Sequence, residues 1–196
     1  VLYLCSHLCE VPEVLKEEKW IPLFVKDTGG AYLRVSAESH ITRLNMPQEG
    51  NQKWGASRVH KSRVNSLPQM LQEAWYALWA GFSYSGSEKV GEIQFYLCKN
   101  MNEEFSLKSV AEKYHFSEPY FCTLFKKGTG MSVIHFVQHV RVHYGTYLIR
   151  NSEKKLQEIA EEVGFENYSY FGKLFKRYVG QTPEAYREGS EGKLGI

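Results

Sequence analysis

The C-terminal half of this chain contains one pattern twice, and this repeat limits the folds that the chain can adopt. Each copy has an apolar segment running from alanine to phenylalanine, then a second one that ends in two basic residues before a glycine. The copies comprise residues 111–116 and 121–127 with Gly130, and residues 160–165 and 171–177 with Gly180. Ala160 follows Ala111 by 49 residues and Gly180 follows Gly130 by 50, so the second turn has one extra residue. A repeated supersecondary unit of this kind predicts a helix, a tight turn and a second helix.

Length and composition favour an ordinary soluble protein. The 196 residues are sufficient for two small domains, and a hydrophobic fraction of 43% is typical of a globular protein. No apolar run approaches the roughly 20 residues of a membrane span, and no secretory signal is present. We therefore expect a cytoplasmic protein. Because the sequence begins at Val1, we interpret it as a fragment, and membrane anchoring of the full-length protein stays open.

The cysteines favour a reducing compartment. Cys5, Cys9, Cys98 and Cys122 show no metal-ligand spacing, and scattered cysteines are usual where thiols stay reduced. We expect small buried side chains at these positions.

Residues 1–92 have the pattern of a mixed α/β segment. Residues 23–26 and 31–35 are apolar stretches on either side of a Gly29-Gly30 turn, as in a β-hairpin. The other predicted elements are a short strand, an amphipathic helix and a loop rich in serine and glycine, at residues 54–59, 67–78 and 83–91.

Residues 93–190 are predicted to be all-α, so the chain as a whole is α+β. The seven predicted helices cover about residues 92–100, 106–116, 118–127, 132–150, 156–163, 168–178 and a short segment after Thr182. Predicted N-caps are Ser106, Ser117, Ser132 and Thr182, and Gly128 and Gly130 are expected to close the third helix. Residues 191–196 are expected to be a flexible tail.

The repeated unit fits the requirements of a helix-turn-helix. In that motif the second helix lies in the major groove of DNA and the first braces it. Small residues, Ala111 and Ala160, let the two helices approach each other, and Phe116 and Phe165 are expected to be buried at the turns. The predicted inner faces of the second helices are Phe121, Leu124 and Phe125, and Phe171, Leu174 and Phe175. A net charge of +2 does not by itself indicate a nucleic-acid protein, but basic residues concentrate on the second helices. Two amphipathic pairs in a bundle would explain the apolar spacing but not these basic ends.

Residues 96–188 resemble the DNA-binding domain of the arabinose-regulator (AraC/XylS) family of bacterial transcription factors. The matching residues are 158–165, Tyr170-Phe171, 175–180 and 182–187. The resemblance implies two helix-turn-helix units joined by a linker helix at about residues 132–150, with two recognition helices in successive major grooves. It also implies double-stranded DNA and RNA polymerase as partners.

The resemblance assigns base contacts in the second unit to Asn167, Tyr168, Ser169, Gly172 and Lys173. Lys173 can donate to guanine and Asn167 can read adenine. Phosphate contacts are expected from Lys176 and Arg177, and from the helix that starts at Thr182.

In the first unit the matching base-contacting positions are Glu118, Pro119, Cys122 and Thr123. Lys126 and Lys127 stand at the phosphate-contacting end. Thr123 can make one hydrogen bond or touch a thymine methyl, and Glu118 can accept from cytosine. Because no Arg, Gln or Asn faces the groove, we hypothesise that the first unit positions the protein and the second carries more of the specificity.

Three histidines on the linker helix are a weak candidate metal site. His135, His139 and His143 lie four residues apart on one face. No acidic residue or cysteine has matching spacing, so a solvated polar face is the favoured interpretation and no cofactor is predicted. Gly145 on the same helix is interpreted as allowing close packing of a neighbouring helix.

Part of the N-terminal segment is similar to the end of a diguanylate-cyclase-like (GGDEF) domain in a degenerate form. The similarity rests on residues 55–57 and 71–78, with Gly29-Gly30 at the signature turn. Ala31-Tyr32 stands where an acidic residue is required, so cyclase activity is not expected. A ligand-binding or homodimer-forming role stays open. The chain also lacks a phosphate-binding loop, a nucleophile elbow and a His-Glu-x-x-His motif.

These observations predict a sequence-specific DNA-binding transcription regulator that is not an enzyme. The alternative is a helical protein-interaction module that has lost DNA binding. The target sequence, the direction of regulation and the controlling signal stay open.

Overall fold

The computed structural model describes residues 2–5, 20–23, 30–34, 54–58 and 67–191. The chain divides into two compact units, Val1–Gly91 and Glu92–Ile196. None of the described helices is both long enough and apolar enough to cross a membrane. The predicted flexible tail lies, apart from Glu191, outside the described residues.

The N-terminal unit contains a four-stranded antiparallel sheet and one helix. The strands are β1 (Leu2–Cys5), β2 (Trp20–Leu23), β3 (Gly30–Arg34) and β4 (Trp54–Ala56), in the order β2-β3-β1-β4. Helix α1 (Leu67–Ala80) packs against β1 and β4. Pro22 lies on the edge strand β2, where a residue without a backbone N–H is tolerated.

The predicted hairpin is present, but its first strand lies earlier in the sequence. β2 pairs with β3 so that Leu23 faces Ala31 and Trp20 faces Arg34. Leu23 is therefore the last residue of the strand and not the first. The stretch 24–26, predicted as strand, falls outside the described residues, as does Gly29 of the predicted turn.

Helix α2 (Glu88–Lys99) begins four residues before the predicted start, so the predicted loop ends at Ser87. Val90, Ile93 and Leu97 are all buried and follow helical spacing. Glu88 in the first turn favours the helix macrodipole. These apolar and acidic signals override the loop-like composition of residues 83–91.

The first helix-turn-helix unit consists of α3 (Leu107–Lys113) and α4 (Glu118–Thr129). Ser106 caps α3, as predicted, by accepting from the Ser109 N–H. Helix α3 ends before the predicted Phe116 because His115 adopts the left-handed region, at φ 59°. Gly128 lies inside α4, so Gly130 alone ends the helix, at φ 79°.

Helix α5 (Val133–Asn151) connects the two helix-turn-helix units and is capped by Ser132, as predicted. The second unit consists of α6 (Leu156–Glu162) and α7 (Tyr168–Val179), and α8 (Pro183–Glu191) follows it. Thr182 caps α8 by accepting from the Ala185 N–H. Helices are the only regular elements between residues 92 and 191, which agrees with the all-α prediction for this unit.

The two helix-turn-helix units have equivalent buried residues. Ala111 and Ala160 are buried, as are the paired phenylalanines of the second helices, Phe121, Phe125, Phe171 and Phe175. The turn between α6 and α7 is one residue longer than that between α3 and α4, which confirms the reading of the repeat. One predicted equivalence is wrong, because Phe165 is buried whereas Phe116 is only half-buried. Leu124 is likewise only half-buried.

Candidate nucleic-acid interface

Helix α7 buries one face and exposes a polar, basic one. Phe171, Leu174 and Phe175 are buried. The exposed residues include Ser169, Lys173, Lys176 and Arg177. Ser169, Lys173 and Lys176 are spaced by four and three residues, so they form one stripe along the helix. The Arg177 guanidinium lies over the Tyr178 ring, 5.9 Å from its centroid.

Gly172 lies on the same exposed side of α7. A Cβ at this position would meet nothing within 4 Å. The helix backbone can therefore approach a flat surface closely at this point.

Helix α4 has the same arrangement with different side chains. Glu118, Pro119, Cys122, Thr123, Lys126 and Lys127 are all exposed. The Thr123 hydroxyl donates to the Pro119 carbonyl at 2.9 Å, so its remaining capacity is to accept a hydrogen bond or to offer its methyl group. The exposed set predicted for this helix is thus presented together, and its only positive charges are at the C-terminal end.

Asn167 has a structural task that the sequence interpretation missed. Its side-chain oxygen accepts from the Tyr170 N–H at 3.2 Å and caps α7. Bidentate reading of adenine needs both the amide oxygen and the amide N–H₂. In this conformation one acceptor position of the oxygen is used by the cap, and the N–H₂ group is the more available partner for a base.

Tyr168 does not belong to the exposed stripe. Its hydroxyl donates to the Glu184 carboxylate, and its half-buried ring lies 6.2 Å from that of Phe171. Burial and, to a smaller extent, the hydrogen bond to Glu184 raise the pKa of Tyr168 well above its usual range. Tyr168 therefore joins α7 to α8, and its expected base contact stays a prediction.

The start of α8 is already occupied by a carboxylate. Glu184 accepts from Tyr168, its own backbone N–H and the Thr182 hydroxyl, and these bonds lower the pKa of Glu184. Pro183 has no N–H to offer, and the Ala185 N–H donates to Thr182. A phosphate at Thr182 would thus meet a negative charge with few free donors, which argues against the phosphate contact expected there.

The linker-helix histidines form a pair and not a triad. The rings of His139 and His143 are 4.3 Å apart, and Tyr178 lies 5.6 Å from His139. Among the residues with described side chains, no group of three His, Cys, Asp or Glu is placed to hold a metal ion.

Two exposed tyrosines near the turns were not predicted as site residues. Tyr120 and Tyr170 occupy equivalent positions and are 56% and 48% exposed. Each ring lies beside the turn phenylalanine of its own unit, Phe116 or Phe165. Gln138 of the linker helix donates to the Tyr170 hydroxyl at 2.8 Å. The repeat spacing, 50 residues between the tyrosines, was the signal that could have identified them.

In the N-terminal unit, the acidic residue of the cyclase-like stretch is part of the packing. Glu73 is buried and forms an ion pair with Arg58 at 2.8 Å. The Arg58 backbone N–H and the Gln69 amide also donate to it.

Comparison with known proteins supports the helix-turn-helix interpretation. A family model described as a helix-turn-helix domain matches residues 110–189. The bifunctional transcriptional activator/DNA repair enzyme AdaA of Bacillus subtilis is 37% identical over 105 residues, or 54% of this chain and 50% of AdaA. The chain spans about half the length of the first curated relatives that it matches.

Two solved structures have the same fold. The C-terminal domain of AraT, a response regulator from Geobacillus stearothermophilus, is 32% identical with a TM-score of 0.51, over 53% of this chain and 86% of that one. The DNA-binding domain of the global transcriptional factor AdpA, in complex with a target DNA, is 23% identical with a TM-score of 0.52, over 55% of this chain and 96% of that one.

The family match begins at Val110, so the cyclase-like similarity of the N-terminal segment stays a prediction. The helices, the repeated scaffold and these relatives agree on the C-terminal unit. Residues 110–189 form a helix-turn-helix domain, and the C-terminal unit is similar to the matching parts of bacterial transcription regulators.

Proposed function

We propose that this chain binds duplex DNA sequence-specifically by placing α4 and α7 in successive major grooves. The observation that carries the proposal is the repeated arrangement of a buried phenylalanine pair beneath an exposed stripe that ends in two basic residues. Such a stripe supplies phosphate contacts at its basic end and base contacts along its length.

The contacts are divided between the helices according to their exposed side chains. On α7, Ser169, Gly172 and Lys173 are proposed to face the bases, with Asn167 contributing its amide N–H₂ group. On α4, the proposed base-facing residues are Glu118, Pro119, Cys122 and Thr123. The proposed phosphate contacts are Lys126, Lys127, Lys176 and Arg177. Because only α7 presents a cation in the middle of its stripe, we assign most of the specificity to the second unit.

Binding to DNA fragments tests this proposal. A target selected by the full chain from a random DNA pool is measured with wild type and with the Lys173→Ala/Arg177→Ala variant. We expect the variant to fold and to lose most of its affinity, because each site contributes a cationic contact. Glu188→Gln, on the exposed side of α8, is the matched control. Full affinity in the double variant would contradict the assigned contacts, and a wild type that binds no DNA would favour the protein-interaction module instead.

Salt dependence gives an independent check. Four phosphate contacts predict a slope of log affinity against log salt concentration of about −4. Lys176→Ala should make this slope shallower by about 1 and weaken all sequences equally. A slope near zero for the wild type would contradict the proposal.

The assignment of specificity is tested by scrambling each half-site in turn. We expect the larger loss of affinity when the half-site of the second unit is scrambled. A larger loss from the other half-site would reverse the assignment.

The wider role is also a proposal. We take residues 93–190 as the DNA-binding domain and residues 1–92 as a regulatory or coupling segment through which the protein forms a homodimer. We further propose a non-enzymatic regulator that acts in the cytoplasm and contacts RNA polymerase. Chemical cross-linking of the full chain, with and without DNA, tests the homodimer.

A further inference from the structure

One side chain of the linker helix holds two distant segments of the C-terminal unit. Arg141, in the middle of α5, donates through Nε to the Met101 carbonyl at 2.7 Å and through Nη2 to the Glu103 carbonyl at 2.6 Å. Its Nη1 donates to the Gly164 carbonyl at 2.7 Å. Met101 and Glu103 lie in the loop that leads into α3, whereas Gly164 lies in the turn between α6 and α7.

These groups are packed tightly around the guanidinium. Gly164 adopts φ 86°, and a Cβ there would stand 2.8 Å from both Arg141 Cζ and the Met101 carbonyl oxygen. The guanidinium also lies over the Phe165 ring, 5.7 Å from its centroid. Arg141 is half-buried, so its charge-assisted bonds are screened less than they would be on the surface. A planar fork can hold three carbonyls at fixed angles, and a lysine ammonium cannot reproduce that geometry.

Each helix-turn-helix unit also packs against the linker helix through its own core. In the first unit, the Phe125 ring lies 5.4 Å from Phe136 of α5. In the second, Phe171 packs against Gly145. These contacts attach each unit to α5, and the Arg141 bonds additionally connect the entry to the first unit with the turn of the second.

The spacing of two linked binding elements determines how much affinity they gain together. If both elements reach their sites at once, the second contact is intramolecular, and the gain is lost when the geometry prevents simultaneous binding. We propose that Arg141 is a positioning residue that fixes the separation of the two recognition helices, α4 and α7. This inference rests on the proposed function, because it concerns how two helices enter two grooves.

The experiment compares DNA targets that differ only in the distance between half-sites. The full chain binds its selected target and versions with one base pair added or removed between the half-sites. Wild type is expected to prefer its own spacing strongly. Arg141→Ala and Arg141→Lys are expected to bind the optimal target about tenfold more weakly and to lose most of the spacing preference. Affinity for a target with one scrambled half-site should change little.

Arg187→Ala is the control, since Arg187 also donates to a backbone carbonyl, that of Lys154, which directly precedes the second helix-turn-helix unit. It should keep the spacing preference of the wild type. Circular dichroism verifies that the variants retain their helices. The inference is overturned if a folded Arg141 variant keeps the wild-type spacing preference. Unfolding of both variants would also overturn it, because Arg141 would then serve stability. If wild type binds no DNA, the proposed function itself fails, and this outcome is distinct from the other two.

Discussion

The ring of Phe171 fills the space beside Gly145, so the second recognition helix, α7, packs against α5 at a position that has no side chain. A Cβ on Gly145 would lie 3.0 Å from Phe171 Cζ and 3.1 Å from Cε2. Both residues are buried. Gly145 therefore allows close packing between α5 and α7, as its position in the sequence indicated.

Gly145→Ala is expected to lower the free energy of unfolding by about 1 kcal/mol, although alanine is the better helix former. The propensity gain is about 1 kcal/mol, and overpacking a rigid core costs about 1–3 kcal/mol. The second effect should be larger because the rings of Phe165 and Phe175 flank Phe171 at 5.3 and 5.4 Å. Urea unfolding followed by circular dichroism measures the change. The matched control is Gly172→Ala, where open space predicts a gain of up to about 1 kcal/mol. Equal effects at the two sites would show that the contact is unimportant.

The turns of the two units should respond oppositely to substitution. His115 and Gly164 both have positive φ, at 59° and 86°. His115→Gly relieves a left-handed strain of about 1–2 kcal/mol but increases the entropy of the unfolded chain, so we expect a net gain of up to about 1 kcal/mol. Gly164→Ala should cost at least about 1–3 kcal/mol, because strain adds to the contact with Arg141. Thermal unfolding of both variants tests the contrast. Destabilisation by His115→Gly would mean that the imidazole contributes more than the turn strain costs.

The two recognition helices should differ in their dependence on the N-cap residue. Asn167 accepts a capping bond, whereas the Ser117 side chain makes none. Asn167→Ala should lower the free energy of unfolding by about 1 kcal/mol, and Ser117→Ala by much less. Asn167→Asp preserves the cap while adding a negative charge beside the proposed DNA surface. It should keep the unfolding midpoint and weaken DNA binding, since the amide donor is also lost, and unchanged DNA affinity would contradict the base contact proposed for Asn167.

The Tyr168–Glu184 pair should contribute a pH-dependent stability. The hydrogen bond from Tyr168 lowers the pKa of Glu184, so this contribution is present above the carboxyl's ordinary pKa of about 4.3 and is lost as the pH falls through the folded-state value. Burial and the same bond raise the pKa of Tyr168, so its contribution is lost as the pH rises above about 10.

We therefore expect the difference in melting temperature between wild type and Glu184→Gln to be largest near neutral pH and to shrink below about pH 4. Tyr168→Phe should show the same acid behaviour. Glu188→Gln, on the same helix, serves as the control. A difference in melting temperature that stays constant from neutral to acidic pH would show that the stabilisation does not depend on ionisation of Glu184.

The scaffold of the C-terminal unit could be predicted because its signals are local and repeated. The apolar spacing predicts the buried phenylalanine pairs, and serine or threonine predicts the N-caps at Ser106, Ser132 and Thr182. The one-residue offset between the two copies of the repeat predicts the longer second turn. Helix ends were less predictable. His115 in the left-handed region stopped α3 early, and the sequence contains no glycine there to signal it.

The roles of individual surface residues could not be predicted from position alone. Tyr168 and Thr182 occupy positions that the family resemblance assigns to DNA. Their side chains are instead engaged with Glu184 and Ala185, partners that only the packing of α8 on α7 brings near. The role of Arg141 could likewise not be predicted from the sequence, because its carbonyl acceptors are 23 to 40 residues away.

On both α4 and α7, the buried phenylalanines and the residues of the exposed stripe lie on opposite faces of the same helix. A substitution at Cys122, Thr123, Ser169 or Lys173 therefore leaves the core intact. Because of this separation, the exposed residues of one helix can be exchanged for those of the other. Under the proposed function, grafting the stripe of α7 onto α4, position by position at a shift of 50 residues, is expected to build a protein that reads one half-site twice.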